Sequence, residues 1–306
     1  MNKVLIIGNG FDLDLGLKTS YSDFIKCESF KSLTDNNSLA KDIKKEYEIK
    51  KWIDLETFLK NYIIAQSTVD SFANKYDSLL KEEFYALQDL LNTYINNKIA
   101  YCSINKDSIA RQLLNAIAEN GDYDIYNFNY TNFKDICNNC EIRKLECKHV
   151  HGQAINNSII LGVEAHKDIP DDHVYIIKSF SHHYISRNIR QALKNASDII
   201  IFGHSLGETD YHYFSDFFEE QSSKSLYEKE KNITIFTYDR ESELSILKQL
   251  RKMNPNNDIG RLRDMNNFRI FCTSSKEDYN NIKSFLHKLS NRGSAKLISE
   301  LEQRLL

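Results

Sequence analysis

The sequence predicts an α/β protein with a Rossmann-like, mostly parallel β-sheet. The prediction rests on short apolar runs that end in turn residues, and on amphipathic segments that separate those runs. Strands that are apolar on both faces are typical of a parallel sheet covered by helices on both sides. The first run also leads directly into a Gly-Asn-Gly turn. The predicted strands are Val4 to Ile7, Ile125 to Phe128, His149 to Val150, Ile159 to Leu161, Ile199 to Phe202, Ile233 to Tyr238 and Phe268 to Phe271.

About a hundred residues with helical periodicity separate the first two predicted strands. Because no Gly-, Ser- or Pro-rich linker marks a boundary, we predict one domain over residues 1–306, with a helical insertion at about residues 25–120 after the first βα unit. Asp107 is the predicted N-cap of the last helix in the insertion, and Gly121 is predicted to end that helix. Two apolar stripes mark earlier helices: Leu55, Phe58, Leu59, Tyr62 and Ile63, and then Phe84, Leu87, Leu91 and Tyr94.

The composition is that of a globular protein with a sizeable core, since 41% of its 306 residues are hydrophobic. The net charge is −3 and lysines alternate with acidic residues, so nucleic acid is not an expected partner. No apolar run reaches the length that spans a bilayer, and the N-terminus has no signal-peptide pattern. We therefore expect a cytoplasmic protein with no membrane partner and six reduced cysteines.

The first predicted strand runs into a candidate phosphate-binding turn. Glycines let the backbone approach a pyrophosphate, and the N-terminus of a following helix offers unpaired amides. The third glycine, Gly16, departs from the usual Rossmann spacing, and a tight turn without a ligand is the alternative interpretation. The candidate dinucleotide-binding residues of this turn are Gly8, Asn9, Gly10, Phe11 and Asp12.

Two further segments carry the candidate catalytic residues. Asn129 follows the predicted strand at Ile125, at the edge where open α/β sheets bind ligands, and His151 follows about twenty residues later. An Asn amide can hold a ribose or orient water at its anomeric carbon, while a His can act as general base. Together they would allow cleavage of a glycosidic bond. Alternatively, Asn129 caps a turn and His151 is an ordinary buried histidine.

The fourth segment, Gly203 to Gly207, supports two interpretations. It fits a ligand-binding loop, and it also satisfies the Gly-x-Ser-x-Gly pattern of α/β-hydrolases. In the second interpretation Ser205, Asp239 and His287 would form a triad. Because His287 lies in an amphipathic helical stretch and no oxyanion segment precedes the serine, the hydrolase is the less favoured alternative.

Other polar residues leave their roles open. Carboxylates are available at Asp12, Asp54, Glu56, Glu208 and Asp210, either for ribose hydroxyls and a developing positive charge or as helix caps. Four potential zinc ligands, Cys137, Cys140, Cys147 and His149, precede His151, but a single Cys-x-x-Cys is often fortuitous and we expect no metal. The segment from Tyr175 to Tyr184, which contains Lys178, His182 and His183, is expected to lie exposed.

Four segments in this order resemble the bacterial AbiH-like abortive-infection family, which is similar to sirtuin-like NAD-binding proteins. They are GNGFDLDLGLKTSYSDF from Gly8, WIDLE from Trp52, NFNYT with HVHG from Asn127, and GHSLGETDYHYF from Gly203. The resemblance covers most of the first 214 residues. It implies a sirtuin-like fold in which Asn129 and His151 match the Asn and His-Gly motifs, although Thr131 stands where the sirtuin pattern has Asp.

The resemblance implies phage defence, with NAD bound as a substrate and hydrolysed to nicotinamide and ADP-ribose. The implied catalytic residues are Asn129 and His151, and Thr131 joins the glycine turn in binding the dinucleotide. The binding residues of the fourth segment are Gly203, His204, Ser205, Leu206 and Asp210. A phage-derived trigger and a homo-oligomer are further expectations. A non-catalytic nucleotide sensor whose ligand shifts an assembly is the alternative function.

Overall fold

Six short strands form one parallel β-sheet in the computed structural model, which describes residues 2–67, 73–100, 103–120, 122–142, 145–225, 227–254 and 258–304. The strands are β1 (Asn2–Ile7), β2 (Tyr123–Asn127), β3 (Lys148–His149), β4 (Ala196–Phe202), β5 (Asn232–Thr237) and β6 (Asn267–Cys272). Their order in the sheet is β3-β2-β1-β4-β5-β6, and every neighbouring pair is parallel. The strand order reverses between β1 and β4, which is the place where such sheets bind ligands. The α/β, Rossmann-like prediction is confirmed.

Thirteen α-helices lie in the described ranges. They are α1 (Asn9–Asp14), α2 (Tyr21–Lys26), α3 (Glu28–Leu33), α4 (Ser38–Lys50), α5 (Leu55–Ser67), α6 (Ala73–Ala100), α7 (Ile109–Asn120), α8 (Phe133–Asn139), α9 (Ile189–Asn195), α10 (Tyr211–Ser223), α11 (Arg240–Met253), α12 (Gly260–Asp264) and α13 (Lys276–Arg304). Within the described residues, none of these helices is long and apolar enough to cross a membrane.

The sheet is covered on both faces because its strands alternate between two cores. Leu5 and Ile7 of β1 face a core that includes α1, α7, α8 and α13, whereas Val4 and Ile6 face a core that includes α9 to α12. A third core joins α2 to α6 with the chain between residues 154 and 177. This helical core stands beside the carboxyl end of the sheet, where α5 contacts the short 3₁₀ helix Glu208–Asp210.

Two details differ from the sequence-based prediction. Ile159 to Leu161 is not a strand, because this buried segment packs in the helical core instead of pairing in the sheet. An apolar run indicates that a segment is buried, but it does not show whether the segment pairs with a strand or packs against helices. Ser108, not Asp107, caps α7, since its hydroxyl accepts a hydrogen bond from the amide of Arg111. Gly121 lies outside the described residues.

Glycines bring the turn after β1 into contact with the turn after β4. Gly10 N donates to Gly203 O at 2.9 Å, and Gly8 N donates to Phe202 O at 2.9 Å. A Cβ on Gly8 would lie 2.5 Å from the Cα of His204, and a Cβ on Gly10 would lie 2.7 Å from the Cα of Gly203. These glycines are therefore required by packing between two turns, whatever ligand they also contact.

Gly203→Ala is expected to destabilise the protein by at least about 1–2 kcal/mol, because Gly203 has a φ of +66° and an added Cβ would overlap the Gly10–Phe11 backbone. Gly207→Ala is the matched control, since Gly207 has a φ of −70° and its added Cβ would meet only Ser205 Oγ at 3.2 Å. Urea unfolding measures both variants. Equal stability of the two would contradict this account of the turn.

Candidate active site

A cavity of about 430 Å³ opens at the carboxyl ends of β1, β2 and β4, where the strand order reverses. Helices from the insertion form its other wall. The volume falls in the range of small-molecule sites. The lining residues are Gly8, Asn9, Asp12, Leu13, Thr19, Ser20, Tyr21, Ser22, Trp52, Ile53, Asp54, Glu56, Leu91, Ile95, Phe128, Asn129, Tyr130, Thr131, His151, Gly203, His204, Ser205, Thr209 and Asp210.

The cavity collects most of the sequence-predicted site residues. Those that line it are Gly8, Asn9, Asp12, Asn129, Thr131, His151, Gly203, His204, Ser205 and Asp210. Three predicted binding residues do not line it. Phe11 is buried and contacts Phe202 edge-on, Leu206 is buried with a φ of +53°, and Gly10 packs on Gly203. These three support the turns around the cavity instead.

The glycine turn after β1 has fewer amides for a phosphate than its sequence suggests. The amide of Gly10 donates to Gly203 O, and the amide of Phe11 donates to Gly8 O, both at 2.9 Å. Both donors are therefore already satisfied within the protein. A ligand here would contact Gly8 and Asn9 or the Gly203 to Ser205 loop, all of which line the cavity.

Asn129 is fixed by hydrogen bonds that determine which face of its amide is available. Its Nδ2 donates to Gly8 O at 3.1 Å and to Asp12 Oδ1 at 2.7 Å, and its backbone N donates to Asn127 Oδ1. A carbonyl oxygen only accepts, so Gly8 sets the orientation of the amide. Both Nδ2 protons are occupied, and Asn129 presents its Oδ1 acceptor.

Asp12 is a fully buried carboxyl group at the edge of this arrangement. Burial raises its pKa to about 7, although hydrogen-bond donors such as Asn129 and Thr19 partly oppose this shift. The nearby Thr131 hydroxyl is buried without a well-directed hydrogen bond. Asp12 therefore changes its charge near neutral pH.

Asp12→Asn is expected to raise the free energy of unfolding at pH 8, by up to about 4 kcal/mol. Because the pKa of Asp12 is raised from 3.8 to about 7, its contribution to stability is complete below pH 4 and is lost as the pH rises through 7. An Asn at this position keeps an acceptor for Asn129 without a buried charge. Urea unfolding at pH 5 and pH 8 measures the gain, with exposed Asp35→Asn as control. A smaller gain at pH 8 than at pH 5 would contradict the assignment.

His151 and His204 both contact one carboxylate, Asp210. His151 Nε2 lies 2.8 Å from Asp210 Oδ1, and His204 Nε2 lies 3.3 Å from Asp210 Oδ2. His204 Nδ1 accepts a hydrogen bond from the amide of Leu206 at 3.0 Å. Burial, together with the charge of Lys178, lowers the pKa of His151, so this ring is neutral at pH 7. His151 Nε2 also lies 3.4 Å from Lys178 Nζ, so Nε2 either donates to Asp210 or accepts from Lys178. In the tautomer that donates to Asp210, the lone pair is on Nδ1.

Lys178 is the cation of this cluster, and the expectation that its segment lies exposed is wrong at this residue. Lys178 is 1% exposed, and its Nζ lies 3.0 Å from Asp210 Oδ1 and 3.0 Å from Glu56 Oε2. Burial alone would lower the pKa of Lys178, but the two carboxylates outweigh burial and raise it. In return, Lys178 and His151 hold the pKa of Asp210 well below its usual range despite burial.

Glu56 links this cluster to two half-buried tyrosines, Tyr130 and Tyr21. Burial raises the pKa of Glu56 to about 7 against the opposing charge of Lys178. Tyr130 Oη lies 3.5 Å from Glu56 Oε1 and 3.4 Å from the hydroxyl of Tyr21. A chain of polar groups therefore runs along the cavity from Tyr21 to His151.

Sequence reasoning left three members of this chain without a role: Lys178, Tyr130 and Tyr21. For Glu56 a signal existed, because Asp54 caps α5 by accepting from Thr57 N and so places Glu56 in the first turn. Lys178 had no such signal, since its segment has no periodicity. Its position depends on the pairing of Val163 with Ile177.

Neither rival chemistry is assembled among the described residues. No hydrogen bond joins Ser205 to Asp239 or His287: the Asp239 carboxylate caps α11, and His287 is exposed and lies beside Asn291. The part of the chain that the structure describes also contains no group of three or more His, Cys, Asp or Glu side chains suited to a metal, so Cys137, Cys140, Cys147 and His149 do not form a zinc site there.

The bacteriophage abortive infection AbiH family matches residues 4–229, a range that contains most of β1, all of β2 to β4 and every residue of the cavity. No curated protein matches the chain. Since the match covers well over half of the 306 residues, the chain belongs to the bacteriophage abortive infection AbiH family, which supports a role in phage defence.

Proposed function

We propose that the chain binds NAD in this cavity and hydrolyses it to nicotinamide and ADP-ribose. The observation that carries the proposal is the set of acceptors and carboxylates that meet in the cavity. The amide oxygen of Asn129 remains available as an acceptor, the neutral imidazole of His151 has one unprotonated nitrogen, and the carboxylates of Glu56 and Asp210 line the same cavity. Acceptors of this kind suit ribose hydroxyls and positive charge.

The charge of the site supports glycosidic cleavage. The bond between nicotinamide and ribose breaks through a transition state with oxocarbenium character, which nearby carboxylates stabilise. Lys178 supplies one positive charge against Asp210, Glu56 and Asp12. Because the pKa values of Glu56 and Asp12 are both raised to about 7, the site becomes more negative as the pH rises through neutrality.

The reaction needs water as its only co-reactant. Water attacks the anomeric carbon of the nicotinamide ribose, and the bonding pair of the breaking C–N bond goes to the ring nitrogen of nicotinamide. His151 accepts the proton of the attacking water at Nδ1, while the Oδ1 of Asn129 orients that water or a ribose hydroxyl. The products are neutral nicotinamide and ADP-ribose, and the proton then leaves to solvent.

The remaining cavity residues are the expected contacts of the rest of the dinucleotide. Gly8, Asn9, Gly203 and Ser205 line the rim formed by the two turns. Thr131 and His204 lie deeper, since each is almost completely buried. The position at the reversal of strand order is also where Rossmann-like sheets bind dinucleotides.

Incubation of the purified chain with NAD tests the proposal, with nicotinamide release followed by chromatography and an ester substrate as parallel control. Release of nicotinamide without ester hydrolysis supports it. Binding of NAD without release, even with extract of phage-infected cells, favours the nucleotide sensor. If NAD neither binds nor is cleaved while the ester is hydrolysed, the proposal fails and Ser205 becomes the candidate nucleophile.

A further inference from the structure

The only tryptophan of the chain, Trp52, lies exposed at the mouth of the cavity. Its exposed fraction is 66%, and Leu13, which also lines the cavity, is 44% exposed. A tryptophan side chain buries about 150–250 Å² when it is packed, so this indole exposes a large aromatic surface. An aromatic surface that borders a ligand cavity is suited to stacking with a planar ligand group.

The backbone around Trp52 holds the indole in this position. Lys51 ends α4 in the left-handed region, with a φ of +58°, which turns the chain sharply before Trp52. Ile53 is buried in the helical core, and Asp54 caps α5 by accepting from Thr57 N at 3.0 Å. Trp52 is therefore fixed between two anchored residues instead of belonging to a loose loop.

We infer that Trp52, together with Leu13, forms a subsite for the adenine base of the dinucleotide. The inference rests on the proposed function and assigns a residue to one end of its substrate. If the nicotinamide ribose lies at Asn129 and His151, nicotinamide is close to the buried part of the cavity. The adenine, at the other end of an extended dinucleotide, then reaches the mouth, where the indole and the Leu13 side chain enclose its planar face.

Tryptophan fluorescence tests this inference directly, because Trp52 is the single tryptophan of the sequence and its emission therefore reports on this position. We expect ADP-ribose, which carries adenine but no nicotinamide, to quench the fluorescence of the full chain in a saturable way. Nicotinamide mononucleotide and ribose 5-phosphate, which lack adenine, are expected to leave the fluorescence unchanged.

Calorimetry of variants supplies a second readout that does not depend on activity. Trp52→Ala should bind ADP-ribose about tenfold more weakly, because stacking on an aromatic side chain contributes about that factor or more per base. Trp52→Phe should retain most of the affinity. Ile49→Ala is the matched control, since Ile49 is 77% exposed in the same segment but does not line the cavity.

The outcomes separate this inference from the proposed function. If ADP-ribose binds but neither quenches Trp52 nor binds more weakly to Trp52→Ala, the adenine subsite is wrong while the proposed function stands. Quenching by nicotinamide mononucleotide alone would also overturn the assignment to adenine. A concentration-dependent change of fluorescence without ligand, matched by self-association, would mean that a second copy covers Trp52. If no dinucleotide binds the wild-type chain, both proposals fail.

Discussion

Lys178→Met is expected to lower the free energy of unfolding by about 3–5 kcal/mol at pH 8. Lys178 is the buried cation between Glu56 and Asp210, at 3.0 Å from each carboxylate. Met preserves much of the side-chain volume but removes the positive charge. The carboxylates of Glu56 and Asp210 then lose the cation that they share, which costs far more than the loss of a surface ion pair.

The pH dependence of this loss has a defined sign. In the wild type, Lys178 holds the pKa of Asp210 well below its usual range, so that contribution to stability is present above about pH 4 and is lost at lower pH. Without Lys178, the pKa values of Asp210 and Glu56 should rise, and both carboxyls take up protons as the pH falls. The deficit of Lys178→Met should therefore be larger at pH 8 than at pH 5.

Two further variants make this prediction specific to charge. Lys167→Met, at an exposed lysine eleven residues earlier, should change stability by less than about 0.5 kcal/mol. Adding Glu56→Gln to Lys178→Met should restore part of the lost stability, because it removes one of the two uncompensated charges. Urea unfolding of the four proteins at both pH values decides the matter. A pH-independent deficit that Glu56→Gln does not reduce would point to packing instead of electrostatics.

The strands of the sheet were predictable because each is a short apolar run, and such a run indicates from local sequence alone that the segment is buried. Ile199 to Phe202 and Ile233 to Tyr238 read as strands since both sheet faces are covered, and they became β4 and β5 with small changes at their ends. Ile159 to Leu161 has the same apolar character but packs in the helical core. Apolarity required burial in each case, and only tertiary structure decided whether the partner was a strand or a helix.

The candidate site was predictable where residues follow a strand directly. Asn129 and His204 stand after β2 and β4, so parallel topology alone brings them to one edge of the sheet. Lys178 reaches the same edge through a long irregular segment, and nothing in its local sequence indicates burial. Its charge would suggest exposure, and only the two carboxylates from distant segments explain why it is buried.

His151→Ala is expected to lower the rate of nicotinamide release by about 10²–10⁴, the usual contribution of a positioned general base. The side chain lies in the cavity and is oriented by Asp210 at 2.8 Å. His166→Ala is the matched control, because His166 is a partly exposed histidine that does not line the cavity. ADP-ribose affinity should change only slightly in both variants, so the loss should appear in kcat and not in binding.

The pH profile distinguishes His151 as base from His151 as a structural residue. Burial and the charge of Lys178 lower the pKa of His151 from its ordinary value of 6.5, so His151 can still act as a base at pH values below 6.5. The loss of kcat that comes from protonation of His151 should therefore appear only at more acidic pH. A separate limb near pH 7 is expected from Glu56 and Asp12, whose pKa values are both raised to about 7, and combining Glu56→Gln with Asp12→Asn should remove it. If His151→Ala retained the wild-type rate and both limbs, another group would have to accept the proton. If it lost ADP-ribose binding together with activity, His151 would be a binding residue, and the proton would leave directly to solvent water.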